Sequence, residues 1–130
     1  MAGTLAEAGA LVVGIDTPAY LRKAADVGED CLFAAGDLER LSHLVQKRYS
    51  VKQYRVPVLA GFASGGTLAY AALAQGATGP FLGGISLGFC PHLDTVKELC
   101  KGRGPEFSAD PGSGRLYKPA KTLEVLWKVL

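Results

Sequence analysis

The chain has 130 residues, of which 48% are hydrophobic, 20% charged and 8% aromatic. That length suits one domain, and the balance excludes a disordered tail, a collagen-like repeat and a polyelectrolyte. Fourteen Lys and Arg against twelve Asp and Glu give a net charge of +2, with no basic block long enough to follow a phosphate backbone, so nucleic acid is not an expected partner.

No transmembrane segment is expected, because Gly, Asp or Pro interrupts the apolar stretches well short of the ~20 residues a membrane span needs. The start, Met1-Ala2-Gly3-Thr4-Leu5-Ala6-Glu7, lacks the basic region of a signal peptide. In chain order, Leu5 to Gly9 reads as the end of a helix closed by Gly9. Leu11-Val12-Val13-Gly14-Ile15 is a continuous apolar run meeting Asp16-Thr17-Pro18, which predicts a buried strand running into a loop. A helix is expected from Asp37 to Tyr49, capped by Asp37, with Leu38, Leu41, Leu44 and Val45 on one apolar face and His43 toward solvent or the rim of the core. The stretch Tyr54–Phe62 holds a second strand, Val56–Ala60, that runs straight into Gly61. Gly65–Gln75 is a helix apolar nearly all round and therefore internal, closed by Gly76. Phe81–Phe89 reads as a third buried strand, Lys101–Lys118 as a Gly/Pro-rich loop, and Leu123–Leu130 as a final strand. Strands alternating with helices predict an α/β fold with a mainly parallel sheet and flanking helices.

Three cysteines, Cys31, Cys90 and Cys100, form no C-x-x-C and no even framework. Cys90 and Cys100 flank a short loop that a disulfide would close, and two independent thiols is the equal alternative. Cys31, within Asp30-Cys31-Leu32-Phe33-Ala34, reads as a buried apolar filler. Cys90, His92 and Asp94 alternate and Cys100 follows, but Pro91 starts a loop and the spacing lacks the tight soft-ligand pairs of a zinc site, so no metal is expected. No cofactor is expected either. No G-x-G-x-x-G lies between strand and helix, the Gly83–Gly88 run falls inside a strand, and no Gly-Lys-Ser/Thr occurs.

Functional sites in parallel sheets lie at the carboxyl ends of the strands. Val58-Leu59-Ala60-Gly61-Phe62-Ala63-Ser64-Gly65-Gly66-Thr67 is a strand turning at once into a helix with small residues around the turn, which is the pattern of a nucleophile elbow. With the apex at 63 the residues two before and two after are Gly61 and Gly65, with Gly66 also small. With the apex at Ser64 they are Phe62 and Gly66, and a phenylalanine there fits poorly. The spacing therefore reads G-x-A-x-G, with Ala63 at the nucleophile position and Ser64 the less favoured alternative. Alanine carries no nucleophilic atom. A strand-to-helix loop without chemistry is the bland alternative. The remaining triad members are hard to find, because neither His43 nor His92 follows a late strand.

Gly61-Phe62-Ala63-Ser64-Gly65-Gly66-Thr67-Leu68-Ala69-Tyr70-Ala71-Ala72-Leu73-Ala74, Ile85-Ser86-Leu87-Gly88-Phe89-Cys90-Pro91 and Asp37-Leu38-Glu39-Arg40-Leu41 together resemble the bacterial virulence proteins VirJ and AcvB, which are α/β hydrolases. The likeness extends over nearly the whole chain, and the Ser-Leu-Gly-Phe-Cys-Pro run is its most specific part. The resemblance implies a serine esterase of the periplasm that hydrolyses aminoacylated phosphatidylglycerol, or a supporting role in virulence and type IV secretion. Its elbow is Gly-Tyr-Ser-x-Gly, so the nucleophilic serine falls on Ala63 and the backbone N–H of Ser64 would help to hold the oxyanion. An oxidising compartment favours a Cys90–Cys100 disulfide. The resemblance further implies a single but incomplete domain over residues 1–130. Its first strand and oxyanion loop would precede Met1, and its catalytic acid and histidine would follow Leu130. The missing strand would lie between the Leu11 and Val56 strands, leaving edges open to self-association. The expected partners are an aminoacylated phospholipid headgroup or a secretion-system protein.

Overall fold

The structure, a computed structural model, describes residues 2–28, 30–76, 79–88 and 100, together with the backbone of 108–109 and 117–118. Four helices, α1 (Ala2–Glu7), α2 (Thr17–Asp26), α3 (Ala34–Arg48) and α4 (Ser64–Gly76), accompany two parallel strands, β1 (Val58–Phe62) and β2 (Gly83–Leu87). The strands pair in the register Val58↔Gly83 to Phe62↔Leu87, and α4 is the crossover between them. A two-residue antiparallel pair, β3 (Ser108–Ala109) with β4 (Tyr117–Lys118), lies within the stretch expected to be loop. The α/β character is thus present, as helices with a small parallel sheet.

The core forms where α2, α3 and α4 meet the sheet. Leu21, Leu32, Ala34, Ala35, Leu38, Leu68, Ala71, Ala72 and Phe81 are buried together, with Tyr20, Phe33, Leu59 and Leu73 packed against them. The alanines of α4 let its axis approach closely, and a Cβ at Gly84 would collide with Leu73 Cδ1, so glycine in β2 makes room for the helix. Side chains alternate across a strand. Leu59 and Gly61 therefore lie toward α4, while Val58, Phe62, Ile85 and Leu87 are exposed on the opposite face. Parallel sheets are ordinarily covered on both faces. Among the described residues this one is covered on one.

Several expectations are corrected. Residues 10–16 form no strand, and Leu11, Val13 and Ile15 are exposed. An apolar run becomes a strand only where a neighbour supplies a ladder, and β1 and β2 pair with each other instead. Asp16-Thr17-Pro18 is the start of a helix, not the end of a strand: the Asp16 carboxylate accepts from Ala19 N–H at 2.9 Å and Pro18 sits in the first turn of α2. The third helix begins at Ala34 rather than Asp37. Asp37 is therefore not its cap; it accepts from the Tyr20 hydroxyl at 2.8 Å and pairs with Arg40. Leu44, expected on the apolar face, is 63% exposed. β1 begins at Val58, beyond Val56 and Pro57. Cys100 is bonded to Cys31, so the Cys90–Cys100 disulfide is not formed and Cys31 is no simple apolar filler. The strand expected over Leu123–Leu130 and the residues Cys90, His92 and Asp94 lie outside the described residues.

Candidate functional site

The site starts from the crowding at the carboxyl end of β1. A Cβ at Gly61 would lie on the carbonyl group of Gly65 and 2.5 Å from Gly66 N, and one at Gly66 would meet Ser86 Oγ at 2.9 Å and Leu87 O at 3.1 Å. Strand and helix thus approach so closely that a Cβ at Gly61 meets backbone that cannot yield, and one at Gly66 would push the Ser86 hydroxyl aside. Between them the chain reverses at Ala63, whose φ is +51°. A left-handed alanine is an uncommon, mildly strained conformation. The turn is held by Ala63 N–H donating to Leu87 O at 2.8 Å and by Thr67 N–H donating to Ala63 O at 3.1 Å.

Ser86, on β2, donates from its hydroxyl to Gly66 O at 2.7 Å and so pins the first turn of α4 to the neighbouring strand. Thr17, at the start of α2, is buried beside the same turn, with Oγ1 3.5 Å from where a Gly65 Cβ would lie. Phe62 is 69% exposed and its ring borders Gly88, which has a φ of +60°. Ala63 is half-buried and Ser64, the first residue of α4, is exposed.

Gly61, Phe62, Ala63, Ser64, Gly65 and Gly66 therefore occupy one strand–turn–helix. The left-handed residue is Ala63. His43 stands elsewhere. It stacks on Tyr54, with ring centroids 3.9 Å apart, before the amino end of β1, and the five residues of β1 separate that end from Ala63 by roughly 16 Å. Among the described residues no group of three His, Cys, Asp or Glu side chains is placed to hold a metal, and no helix is long and apolar enough to cross a membrane.

Sequence reasoning missed Gln75. Its side chain is fully buried, and its carboxamide accepts from Ala35 N–H at 3.1 Å and donates to Leu32 O at 2.8 Å and to Cys100 O at 3.1 Å. It thereby satisfies a first-turn N–H of α3, which has no side-chain cap of its own, and ties the carboxyl end of α4 to the Cys31–Cys100 bridge. The one signal for it was a long polar side chain near the end of a helix of mostly small and apolar residues.

Compared with models of protein families, with curated proteins and with solved structures, the chain matches none.

Proposed function

We propose that the chain is an α/β-hydrolase-type domain, resembling VirJ and AcvB, whose elbow carries Ala63 at the nucleophile position. The observation that carries the reading is the left-handed Ala63 between a strand and a helix whose close approach requires glycine at 61. In an active counterpart a serine at 63 would attack the ester carbonyl of an aminoacylated phosphatidylglycerol headgroup in the periplasm. The N–H of Ser64 would donate to the oxyanion, and a histidine would take and return the proton. Ala63 removes the attacking atom. By analogy with a dissected serine protease, that costs on the order of 10⁶ in kcat, so the chain as written is not an efficient esterase.

The absence of a nucleophilic atom at Ala63 favours a second reading: a non-catalytic binding or scaffold protein of the envelope or a type IV secretion system, keeping the hydrolase shape for recognition. Intact-mass analysis after a fluorophosphonate probe discriminates the two. The expected result is no adduct on the chain as written and one adduct, at position 63, on Ala63→Ser with the flanking segments that would bring the catalytic acid and histidine supplied. An adduct on Ser64 of the unaltered chain would overturn the apex assignment. An Ala63→Ser chain supplied with those segments that folds and stays unlabelled would favour the scaffold.

A further inference from the structure

Charge is unevenly distributed along this chain. Between Glu39 and Asp94 there is no acidic residue, while Arg40, Lys47, Arg48, Lys52 and Arg55 fall in that interval. Arg40 is held by Asp37. The other four are exposed at the carboxyl end of α3 and in the loop leading to β1, and among the described residues none is drawn into an ion pair. Lys47 and Arg48 sit in the last turn of α3, where they complement the unpaired carbonyls. Lys52 and Arg55 are off the helix, so the helix dipole does not account for them.

The loop is folded back onto α3. Gln46 accepts from Arg55 N–H at 2.8 Å and donates to Arg55 O at 2.7 Å. Tyr54 stacks on His43, and its hydroxyl donates to Ser42 at 3.3 Å. The cations are thereby gathered at one end of the molecule. Among them stand exposed apolar side chains: Leu44 at 63%, Tyr49 at 66% and Val56. Leu82, 76% exposed, joins them because its N–H donates to Pro57 O at 2.8 Å.

We propose that this basic and apolar end docks on an anionic lipid surface. Nucleic acid would use the four cations and leave Leu44, Val56 and Leu82 in water. A bilayer interface takes both, the cations at the headgroups and the apolar and aromatic tips just below them. The patch lies at the opposite end of β1 from Ala63, so the proposal does not depend on the elbow.

The test is flotation of the full chain with vesicles of equimolar phosphatidylglycerol and phosphatidylcholine, against phosphatidylcholine alone, at low and high salt. The chain is expected to float with the anionic vesicles, and less at high salt. The variant K47Q/R48Q/K52Q/R55Q should bind about fivefold more weakly for each charge removed. Leu44→Ser with Tyr49→Ser should weaken binding while leaving its salt dependence in place. Far-UV circular dichroism checks the fold. Should the fourfold variant unfold, Lys52→Gln with Arg55→Gln, off the helix, gives the same reading with half the effect on a logarithmic scale. Equal flotation with both vesicle types, undiminished binding by the charge variants, or preference for an oligonucleotide over the vesicles would each overturn the proposal.

Discussion

Adding one methyl group at Gly61 tests whether the strand and helix meet as closely as an elbow requires. The new Cβ would lie on Gly65 carbonyl atoms and 2.5 Å from Gly66 N. These belong to the backbone of the first turn of α4 and cannot rotate aside, so α4 must move off β1. Gly65 provides the internal control, because a Cβ there meets only Thr17 Oγ1 at 3.5 Å, an ordinary contact. Gly66 is intermediate: its Cβ meets Ser86 Oγ at 2.9 Å, and that hydroxyl can turn away at the cost of its bond to Gly66 O. Overpacking costs typically 1–3 kcal/mol and more where nothing yields, so Gly61→Ala should destabilise by about 3 kcal/mol. Gly66→Ala should cost about 1 kcal/mol once the helix propensity of alanine is counted, and Gly65→Ala should be neutral or gain up to ~0.5 kcal/mol. Urea titrations followed by far-UV circular dichroism give the midpoints, provided the slopes agree. A Gly61→Ala chain as stable as Gly65→Ala would refute the close approach, and with it the structural case for an elbow.

Ala63→Gly should stabilise the chain by roughly 0.5–1 kcal/mol in the same titration, since glycine carries no penalty at a φ of +51°; a loss of stability would contradict the left-handed apex. Gln75→Leu leaves Ala35 N–H and Cys100 O without their partner, and chemical denaturation should show a cost of about 2–4 kcal/mol. Reduction of Cys31–Cys100 opens a loop of sequence separation 69 and should remove up to about 4 kcal/mol in the chain-entropy model. Peptide mapping after alkylation without reductant should modify Cys90 alone, and a Cys90–Cys100 peptide would refute the pairing. The uncovered sheet face, with Val58, Phe62, Ile85 and Leu87 exposed, should support self-association of the chain. Light scattering across a dilution series would read it, with Phe62→Ser plus Ile85→Ser weakening it, and a mass of one chain at every concentration would refute it.

The elements legible in the sequence were those whose signal is local. The internal character of α4 showed in its small apolar residues, and the parallel pairing of β1 and β2 in the alternation of strand and helix. The crowding at Gly61 showed as glycine spacing, but that spacing put the second small residue at Gly65, where a Cβ has room, whereas the structure crowds Gly66. What was not legible depended on partners remote in sequence. Leu11–Ile15 has the composition of a buried strand and lacks a neighbour to pair with. Asp16-Thr17-Pro18 suits both a strand end and a helix start, and the apolar run before it suggested the wrong one. The start of α3 was misplaced because Gln75, forty residues away from Ala35, satisfies an N–H that a side-chain cap would otherwise take. Cysteine spacing favoured the nearer pair, whereas the bridge joins Cys31 to Cys100 across the fold.

The geometry around Ala63 is imposed from outside the residue. Glycine at 61 and 66 brings α4 against β1, Leu87 O receives the Ala63 N–H, and Ser86 holds Gly66 O. None of these contacts uses the Ala63 side chain. A left-handed apex is therefore the consequence of how the strand and helix meet, and its strain of about 1 kcal/mol is offset by burial elsewhere. It follows that strain alone does not separate a disarmed hydrolase from a scaffold that keeps the same turn. A serine at 63 should fit with the surrounding hydrogen bonds intact, so Ala63→Ser should match the parent in stability to within a few tenths of a kcal/mol. If it does, and a fluorophosphonate labels position 63 once the flanking segments that would bring the acid and histidine are supplied, the difference between the two readings is chemical rather than structural. If Ala63→Ser destabilises the chain strongly, the turn has become specific for a small apolar apex, and recognition rather than acyl transfer is what the elbow serves.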